Sequence, residues 1–510
     1  MANKKHFILI AFIIVKFLLQ YSLISPEYDL QRDEFLHLEQ SQHLAWGYLS
    51  VPPITSWISV LIHMFGNTTF WVKFFPALFG AATIYIVWKA IEILGGNIFS
   101  LLLGATCILF SSLLRLNILY QPNSLDVLMW SCVYLMSILY IKNNKNKWLY
   151  IAAIFFAIGF LNKYNIVFQI IGLIPALLLA GPRKLFLNKH LYFALAIGIT
   201  IISPNVIWQY NNNFPVINHL KELSETQLVH VDRLGFIKEQ LLFFTGALLV
   251  ILSAFYALLF YKPFVPYRFF ILSFLFTITL FIYLKAKSYY AIGLYPIYIS
   301  FGSVYLAHLL RNGYWKYLQP VAIAIPILLF IPLYKIGFPN KSPEYMAANP
   351  KAYKKYGLLR WEDGKEHDIP QDFADMLGWQ ELAIKVDSLT MLLPNPDQTL
   401  LLCDNYGQAG AINYYSKNKR IKAQSFDADY VNWLQYNKII KDVILVKEND
   451  DEDKTRSTEI PLFDTVYLAA QRINTLARED TISIYVLRGA RVDINKRIKE
   501  EADKEKIINN

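Results

Sequence analysis

The sequence predicts a polytopic α-helical membrane protein with about 11 transmembrane helices, followed by an external α/β domain. Two observations support this prediction. The 510 residues are 55% hydrophobic and 15% aromatic, which is far more apolar than an ordinary soluble chain of this length. The charge also changes along the chain. Residues 1–335 hold 24 Lys and Arg against 11 Asp and Glu, whereas residues 336–510 hold 25 against 28.

Eleven apolar runs meet or approach the roughly 20 residues that a spanning helix needs. The first run follows two lysines and lacks a small-residue cleavage signature, so it is predicted to be an uncleaved span. The runs centre on residues 7–24, 70–94, 98–114, 125–141, 149–162, 165–180, 191–207, 241–260, 269–285, 289–309 and 317–335.

The distribution of positive charge predicts the topology. With a cytoplasmic N-terminus, the inner segments hold 13 basic residues and a single acid, Glu92, as the positive-inside rule expects. An odd number of spans places the C-terminal domain outside, together with the long outer loops 25–68 and 208–240. The predicted units are therefore a membrane domain over 1–335, a soluble α/β domain over 336–495 and a charged tail over 496–510.

Charge and cysteine content argue against two features, nucleic-acid binding and a disulfide framework. The net charge of +10 lies within the apolar part of the chain, where it follows topology, so nucleic acid is not an expected partner. The three cysteines, Cys107, Cys132 and Cys403, are far apart, and two of them lie in apolar runs. They indicate no disulfide framework.

The stretch SPEYDLQRDEFLHLEQ, residues 25–40, carries five carboxylates directly after the first apolar run. On a helix, Asp33, His37 and Gln40 would share one polar face. Asp33, Glu34 and His37 could also bind a divalent cation, although their spacing matches no zinc signature. A solvated acidic loop is the simpler interpretation of such a stretch.

A second acidic residue, Asp126, lies within a predicted span near its outer end. A carboxylate at that depth is energetically costly and often functional. Basic and aromatic side chains are predicted at the same outer face, where they could form a cationic site for an anionic lipid head group, although snorkelling to the interface would also explain each lysine. They are Arg115, Lys163, Lys285, Lys287, Tyr289 and Tyr290.

Six motifs in this order resemble the GT-C glycosyltransferases that use polyprenyl-phosphate sugars. The resemblance is to glycosyltransferase family 39, the protein mannosyltransferases, and to their bacterial relatives such as the lipid A aminoarabinose transferases. The motifs span about 300 residues. They are Asp33-Glu34, GYLSVPP at 47–53, PNSLDVLMW at 122–130, GFLNKYN at 159–165, SPNVIWQYNNNFP at 203–215 and KSYYAIGLYP at 287–296.

This resemblance implies a donor sugar on a polyprenyl phosphate, an acceptor that is a glycan, a lipid or a protein, and a location in the bacterial inner membrane with the C-terminal domain in the periplasm. The family's acidic pair falls on Asp33 and Glu34, with Asp33 as general base and Asp126 ranked second. Lys163, Lys285, Lys287, Tyr289 and Tyr290 would then bind the donor phosphate, and His37, Arg115, Pro52 and Pro53 would lie near the donor or acceptor.

Some alternatives stay open at this level. No cofactor is certain, and a divalent cation is possible. Val51 stands where the lipid A aminoarabinose transferases carry Lys before the Pro-Pro pair, so that particular activity is in doubt. The segment DNYGQAGAINYY, residues 404–415, is expected to pack at a strand-to-helix turn. A membrane transporter, a flippase or a polymerase for a lipid-linked saccharide would also explain many spans, but the chain has no internal repeat of the transporter type.

Overall fold

A computed structural model describes residues 2–393, 395–436 and 438–509. The first two thirds of the chain are helical, and each of the 11 predicted apolar runs contains a helix. The helices are α1 (Ala2–Tyr21), α2 (Arg32–Glu39), α3 (Ile54–Met64), α4 (Thr69–Ile93), α5 (Ile98–Leu109), α6 (Leu113–Leu116), α7 (Asn123–Asn143), α8 (Lys147–Asn162), α9 (Ile166–Ala180), α10 (Lys189–Asn211), α11 (Pro215–Thr226), α12 (Arg233–Phe243), α13 (Leu248–Phe260), α14 (Phe269–Tyr283), α15 (Tyr295–Leu309) and α16 (Leu318–Ile336).

The predicted count of 11 spans is not confirmed. Among the described residues, five helical segments are long and apolar enough to cross a membrane: Thr69–Ile93, Asn123–Asn143, Lys189–Asn211, Ser288–Leu309 and Gly313–Ile336. The pair Arg233–Phe243 and Thr245–Phe260, bent by 68°, would make a sixth. Helices α3, α5, α8, α9 and α14 are apolar but shorter, because turns interrupt runs that hydropathy alone treats as continuous.

The last third of the chain contains the predicted α/β domain. Five strands form one sheet in the order β2-β1-β3-β5-β4, with β1 parallel to β2 and β3, and β5 antiparallel to β3 and β4. The elements are α17 (Pro343–Ala348), α18 (Pro350–Lys354), α19 (Gln371–Ala374), α20 (Trp379–Thr390), β1 (Thr399–Cys403), α21 (Tyr406–Tyr415), β2 (Ala423–Ser425), β3 (Asp442–Glu448), β4 (Phe463–Ile473), β5 (Thr481–Ala490) and α22 (Ile494–Asn509).

The segment predicted as a charged tail is helical. Helix α22 covers Ile494–Asn509, and Ile494, Ile498 and Ala502 are buried against the sheet. These three residues recur every four positions, which places them on one face of the helix. The surrounding Lys and Glu residues concealed this apolar stripe in the sequence.

One hydrophobic core joins the segment between α1 and α3 to the C-terminal domain. Phe35 of α2 is 1% exposed, and its ring contacts those of Trp379, Tyr414 and Tyr415. A Cβ added at Gly410 of α21 would lie 2.6 Å from the Cβ of Phe35, so only glycine permits this approach. Helix α2 is therefore fixed between the membrane helices and the C-terminal domain.

Candidate functional site

Helix α2 begins with a capping box. The side chain of Gln31 accepts a hydrogen bond from the backbone N–H of Asp33 at 2.9 Å, and Glu34 Oε2 accepts one from the backbone N–H of Gln31 at 2.7 Å. These bonds satisfy N–H groups that a helix start leaves unpaired. Asp33 therefore lies in a fixed first turn, and its side chain is half-buried.

Both carboxylate oxygens of Asp33 accept a hydrogen bond. The hydroxyl of Tyr406 donates to Oδ1 at 2.6 Å, and the side-chain amide of Gln121 donates to Oδ2 at 3.0 Å. A carboxylate offers about four lone-pair sites, so each oxygen keeps one for a further donor. Asp33 is thus held in one orientation while it stays able to accept a proton.

A chain of hydrogen bonds leads from Asp33 to Lys163. Beyond Gln121, the amide of Asn123 donates to Gln121 Oε1 at 3.0 Å, and Lys163 Nζ donates to Asn123 Oδ1 at 2.7 Å. All four side chains are half-buried, so each keeps part of its surface exposed to solvent. The sequence predicted Asp33 and Lys163 at one face, and the structure connects them through two amides.

The ammonium of Lys163 lies over two aromatic rings. Its Nζ is 4.2 Å from the ring centroid of Tyr290 and 5.2 Å from that of Tyr289. Among the described residues, Lys163 forms no ion pair with a carboxylate, and its one polar partner is the neutral amide of Asn123. Its positive charge is therefore available to an anionic ligand, because cation–π contacts orient an ammonium without neutralising it.

Asp126 lies beside this lysine but points into the protein. Its oxygens accept hydrogen bonds from the indole N–H of Trp130 at 3.0 Å and from the amide of Asn165 at 2.9 Å. The same amide also donates to the backbone oxygen of Tyr290 at 3.0 Å. Asp126 is 4% exposed, and it therefore anchors the turn that carries Lys163 and the segment that carries Tyr290.

Glu34, the second member of the predicted acidic pair, is fully buried and surrounded by donors. Lys73 Nζ lies 2.6 Å from each of its oxygens, and the backbone N–H of Tyr120 donates to Oε1 at 2.6 Å. Together with the bond from Gln31, these contacts engage the carboxylate on both oxygens. Glu34 thus connects α2 to α4 and to the segment that carries Gln121.

The other predicted basic residues are arranged differently from Lys163. Lys287 donates to Gln227 Oε1 at 2.5 Å and forms an ion pair with Glu362. Arg115 forms an ion pair with Asp372 at 3.0 Å. Lys285 is exposed and has a positive φ of 52°, and within the described ranges its side chain makes no hydrogen bond or ion pair. Carboxylates of the C-terminal part therefore already neutralise Lys287 and Arg115.

The buried face of α2 packs against α3. This contact involves His37 of α2 and the segment that begins at Pro52 and Pro53. His37 is 5% exposed and shares a 3.4 Å hydrogen bond with Gln40, and burial lowers the pKa of its imidazole. Helix α3 starts directly after the buried Pro52 and Pro53, and Ser59 of α3 donates to the backbone oxygen of His37 at 2.7 Å. The segment Pro52-Pro53 thus leads directly into α3, which contacts α2 through Ser59.

The residues proposed as metal ligands are not gathered into a cation site. Across residues 2–393, 395–436 and 438–509, no group of three or more His, Cys, Asp and Glu side chains is placed to hold a metal ion. The carboxylate of Glu34 faces Lys73, and His37 faces Gln40. The possible divalent cation therefore remains a prediction.

Sequence reasoning missed three residues of the site: Gln121, Asn123 and Tyr406. Asn123 lies within PNSLDVLMW at 122–130, the motif that contains Asp126, and Gln121 directly precedes this motif. Tyr406 belongs to DNYGQAGAINYY, for which only a packing role was expected. The helix formed by that segment does pack on α2, and its first residue also reaches Asp33.

Comparisons with known proteins reveal one family-model match and several similar folds. Residues 50–208, less than half of the chain, match the family model described as dolichyl-phosphate-mannose-protein mannosyltransferase. The crystal structure of ArnT from Cupriavidus metallidurans in the apo state matches with a TM-score of 0.60 at 12% identity, over 94% of this chain and 97% of that chain. No curated protein sequence matches.

A second structure, ArnT from Cupriavidus metallidurans bound to undecaprenyl phosphate, matches with a TM-score of 0.58 at 13% identity, over 95% of this chain and 98% of that chain. At such identity the likeness concerns the fold. The chain has the fold of a GT-C glycosyltransferase, and the predicted resemblance to that class is confirmed. The apolar helices and this fold indicate a multipass membrane protein.

Proposed function

We propose that this protein transfers a sugar from a polyprenyl phosphate to an acceptor hydroxyl at the outer face of the membrane, with inversion of the anomeric centre. The observation that supports this most directly is the hydrogen-bonded chain Asp33–Gln121–Asn123–Lys163. It holds a carboxylate with free lone pairs at one end and, at the other end, an ammonium that forms no contact ion pair within the described residues. A base and an anion-binding group are the two functions that the reaction needs.

The chemistry of the leaving group explains why a single base is sufficient. Glycoside hydrolases pair two carboxylates because one of them must protonate a poor leaving group. A phosphate leaves as an anion and needs no proton, only stabilisation of the charge that develops on it. Asp33 then removes the proton of the attacking hydroxyl, and Lys163 binds the departing phosphate by a charge-assisted hydrogen bond.

The remaining predicted residues take supporting roles in this proposal. Glu34 positions α2 through Lys73, and Asp126 positions Lys163 and Tyr290 through Asn165. Undecaprenyl phosphate is bound in one of the ArnT structures, and dolichyl-phosphate-mannose appears in the description of the family model. Both favour a lipid-phosphate donor, with the sugar and the acceptor to be identified.

The decisive experiment supplies purified protein with a panel of undecaprenyl-phosphate hexoses and pentoses, each radiolabelled in the sugar. Membranes from a strain that lacks the gene provide the acceptor. We expect the labelled sugar of one donor to move from undecaprenyl phosphate to an acceptor molecule of these membranes. Asp33→Asn should reduce this transfer by about 100- to 10,000-fold, the range attributed to a general base. Glu27→Gln, an exposed acid of the same loop, is the matched control and should keep full activity.

Two results would contradict the proposal. Full transfer by Asp33→Asn would refute its role as base. Movement of an intact lipid-linked sugar across proteoliposomes, without cleavage of the sugar–phosphate bond, would identify a flippase instead.

A further inference from the structure

The C-terminal domain contributes a side chain directly to the carboxylate of Asp33. The two residues of the 2.6 Å hydrogen bond, Tyr406 and Asp33, are 373 positions apart in the sequence. Tyr406 is the first residue of α21, at the carboxyl end of β1, whereas Asp33 lies in the first outer loop. A domain that is separate in sequence from the membrane helices therefore forms part of the surface around Asp33.

The phenol ring of Tyr406 is itself held in place. The guanidinium of Arg32, the neighbour of Asp33 on α2, lies 4.6 Å above the ring centroid. The backbone N–H of Tyr406 donates to Asp427 at 3.2 Å. Burial raises the pKa of Tyr406 well above its usual range, so the hydroxyl stays protonated and acts as a donor. The hydroxyl is thus fixed in both position and protonation state before any ligand arrives.

The effect of this bond on Asp33 follows from its geometry. Gln121 orients one carboxylate oxygen and Tyr406 the other, so rotation about the side chain would break a hydrogen bond on either side. Holding a reacting group in its productive orientation contributes several orders of magnitude to enzymatic rates. Loss of one of these two hydrogen bonds would leave the carboxylate in place but allow it to rotate away from its productive orientation.

We propose that Tyr406 is a positioning residue by which the C-terminal domain holds Asp33 in its reactive orientation. This inference rests on the proposed function of Asp33 as general base. It assigns the C-terminal domain a direct part in the transfer step, beyond packing.

Tyr406→Phe tests this role because it keeps the ring over which Arg32 lies and removes only the hydroxyl. Hydrogen bonds to charged groups are worth about 1.5–3 kcal/mol, so we expect kcat to fall about 10- to 100-fold with the panel donor that the wild-type protein consumes. The KM for that donor and the affinity for undecaprenyl phosphate should change less than about twofold, since Tyr406 is not placed against Lys163.

Tyr414→Phe is the matched control. Its hydroxyl lies on the same helix and donates to the backbone oxygen of Asn67 at 2.9 Å, away from Asp33. Its kcat should equal that of the wild-type protein, and both variants should unfold within a few degrees of it.

Three results would overturn the inference. They are an unchanged kcat for Tyr406→Phe, an equal loss in both tyrosine variants, or a rise in KM without a change in kcat. In each case, loss of transfer in Asp33→Asn would leave the proposed function standing. Transfer that persists in Asp33→Asn while Tyr406→Phe is impaired would instead reject the role of Asp33 as base.

Discussion

Lys73 Nζ lies 2.6 Å from both oxygens of Glu34, and neither residue is more than 6% exposed. Burying two charges costs several kcal/mol for each ion, and this cost is recovered only if the pair is well matched and further hydrogen bonds satisfy it. Both conditions hold for the carboxylate, which also accepts from two backbone N–H groups. The pair thus fixes where α2 sits against the membrane helices.

Removal of one partner of this pair should strongly destabilise the protein. We expect Glu34→Gln or Lys73→Met alone to lower the free energy of unfolding by about 3–5 kcal/mol, because each leaves an unpaired buried charge or donor. The double variant should recover much of the loss. Thermal unfolding in detergent measures this, and a double variant as unstable as the sum of the two single variants would contradict it.

Lys163 should govern affinity for the phosphate of the donor. Lys163→Met removes the ammonium, and we expect undecaprenyl phosphate to bind about 10- to 100-fold more weakly, as for a lost charge-assisted hydrogen bond. Lys163→Arg should retain part of the affinity. Lys316→Met is the control, since Lys316 also lies over a tyrosine ring but is exposed and remote in sequence. Titration calorimetry would contradict the assignment if the two methionine variants bound equally well.

Asp375 should make the stability of the C-terminal domain depend on pH. Burial raises the pKa of Asp375 to about 7, although Arg478 at 3.3 Å, Arg32 and the amide of Gln31 face it. Between about pH 4 and pH 7 the folded protein therefore binds more protons than the unfolded chain, so this group lowers stability as the pH rises.

Asp375→Asn removes that dependence. The Tm of Asp375→Asn minus that of the wild-type protein should increase by several degrees between pH 5 and pH 8. A change of about 1 kcal/mol corresponds to a few degrees for a protein of this kind. Asp397→Asn, at an exposed position, should follow the wild-type curve. A constant difference between Asp375→Asn and wild type at every pH would contradict the prediction.

Gly410 should tolerate no side chain. In an ordinary helix, Gly→Ala stabilises by about 1 kcal/mol. Here the added Cβ would lie 2.6 Å from the Cβ of Phe35, and overpacking of this kind typically costs about 1–3 kcal/mol. We expect Gly410→Ala to lower both the Tm and the transfer rate, because α2 must move. Gly407→Ala, whose closest contact would be 3.1 Å, should have a smaller effect, and equal effects would contradict the argument.

Local patterns in the sequence were sufficient to predict much of this architecture. The predicted apolar runs contain helices, and the predicted α/β domain contains a five-stranded sheet. The proximity of Lys163 to Tyr289 and Tyr290 was also anticipated. The predicted number of spans is not confirmed, because bends and short helices depend on tertiary packing that hydropathy averages away.

The partners of individual side chains were beyond sequence reasoning. Glu34 and Asp33 are adjacent on one helix turn, yet one faces Lys73 and the other faces Tyr406. Which oxygen meets which donor is decided by the approach of α4 and α21, elements that lie 39 and 373 residues away. A single sequence carries no local signal for such distant pairings.

The core shared by α2 and the C-terminal domain also determines when α2 can finish packing during synthesis of the chain. Leu30, Phe35 and Leu36 pack with residues such as Trp379 and Ile484, which the ribosome adds more than 300 residues later. The segment that carries Asp33 therefore stays incompletely packed until nearly the whole chain has been synthesised. A protein shortened before Trp379 would keep its membrane helices and the bond from Gln121 to Asp33. It would lack Tyr406 and the C-terminal side of the core that packs on α2.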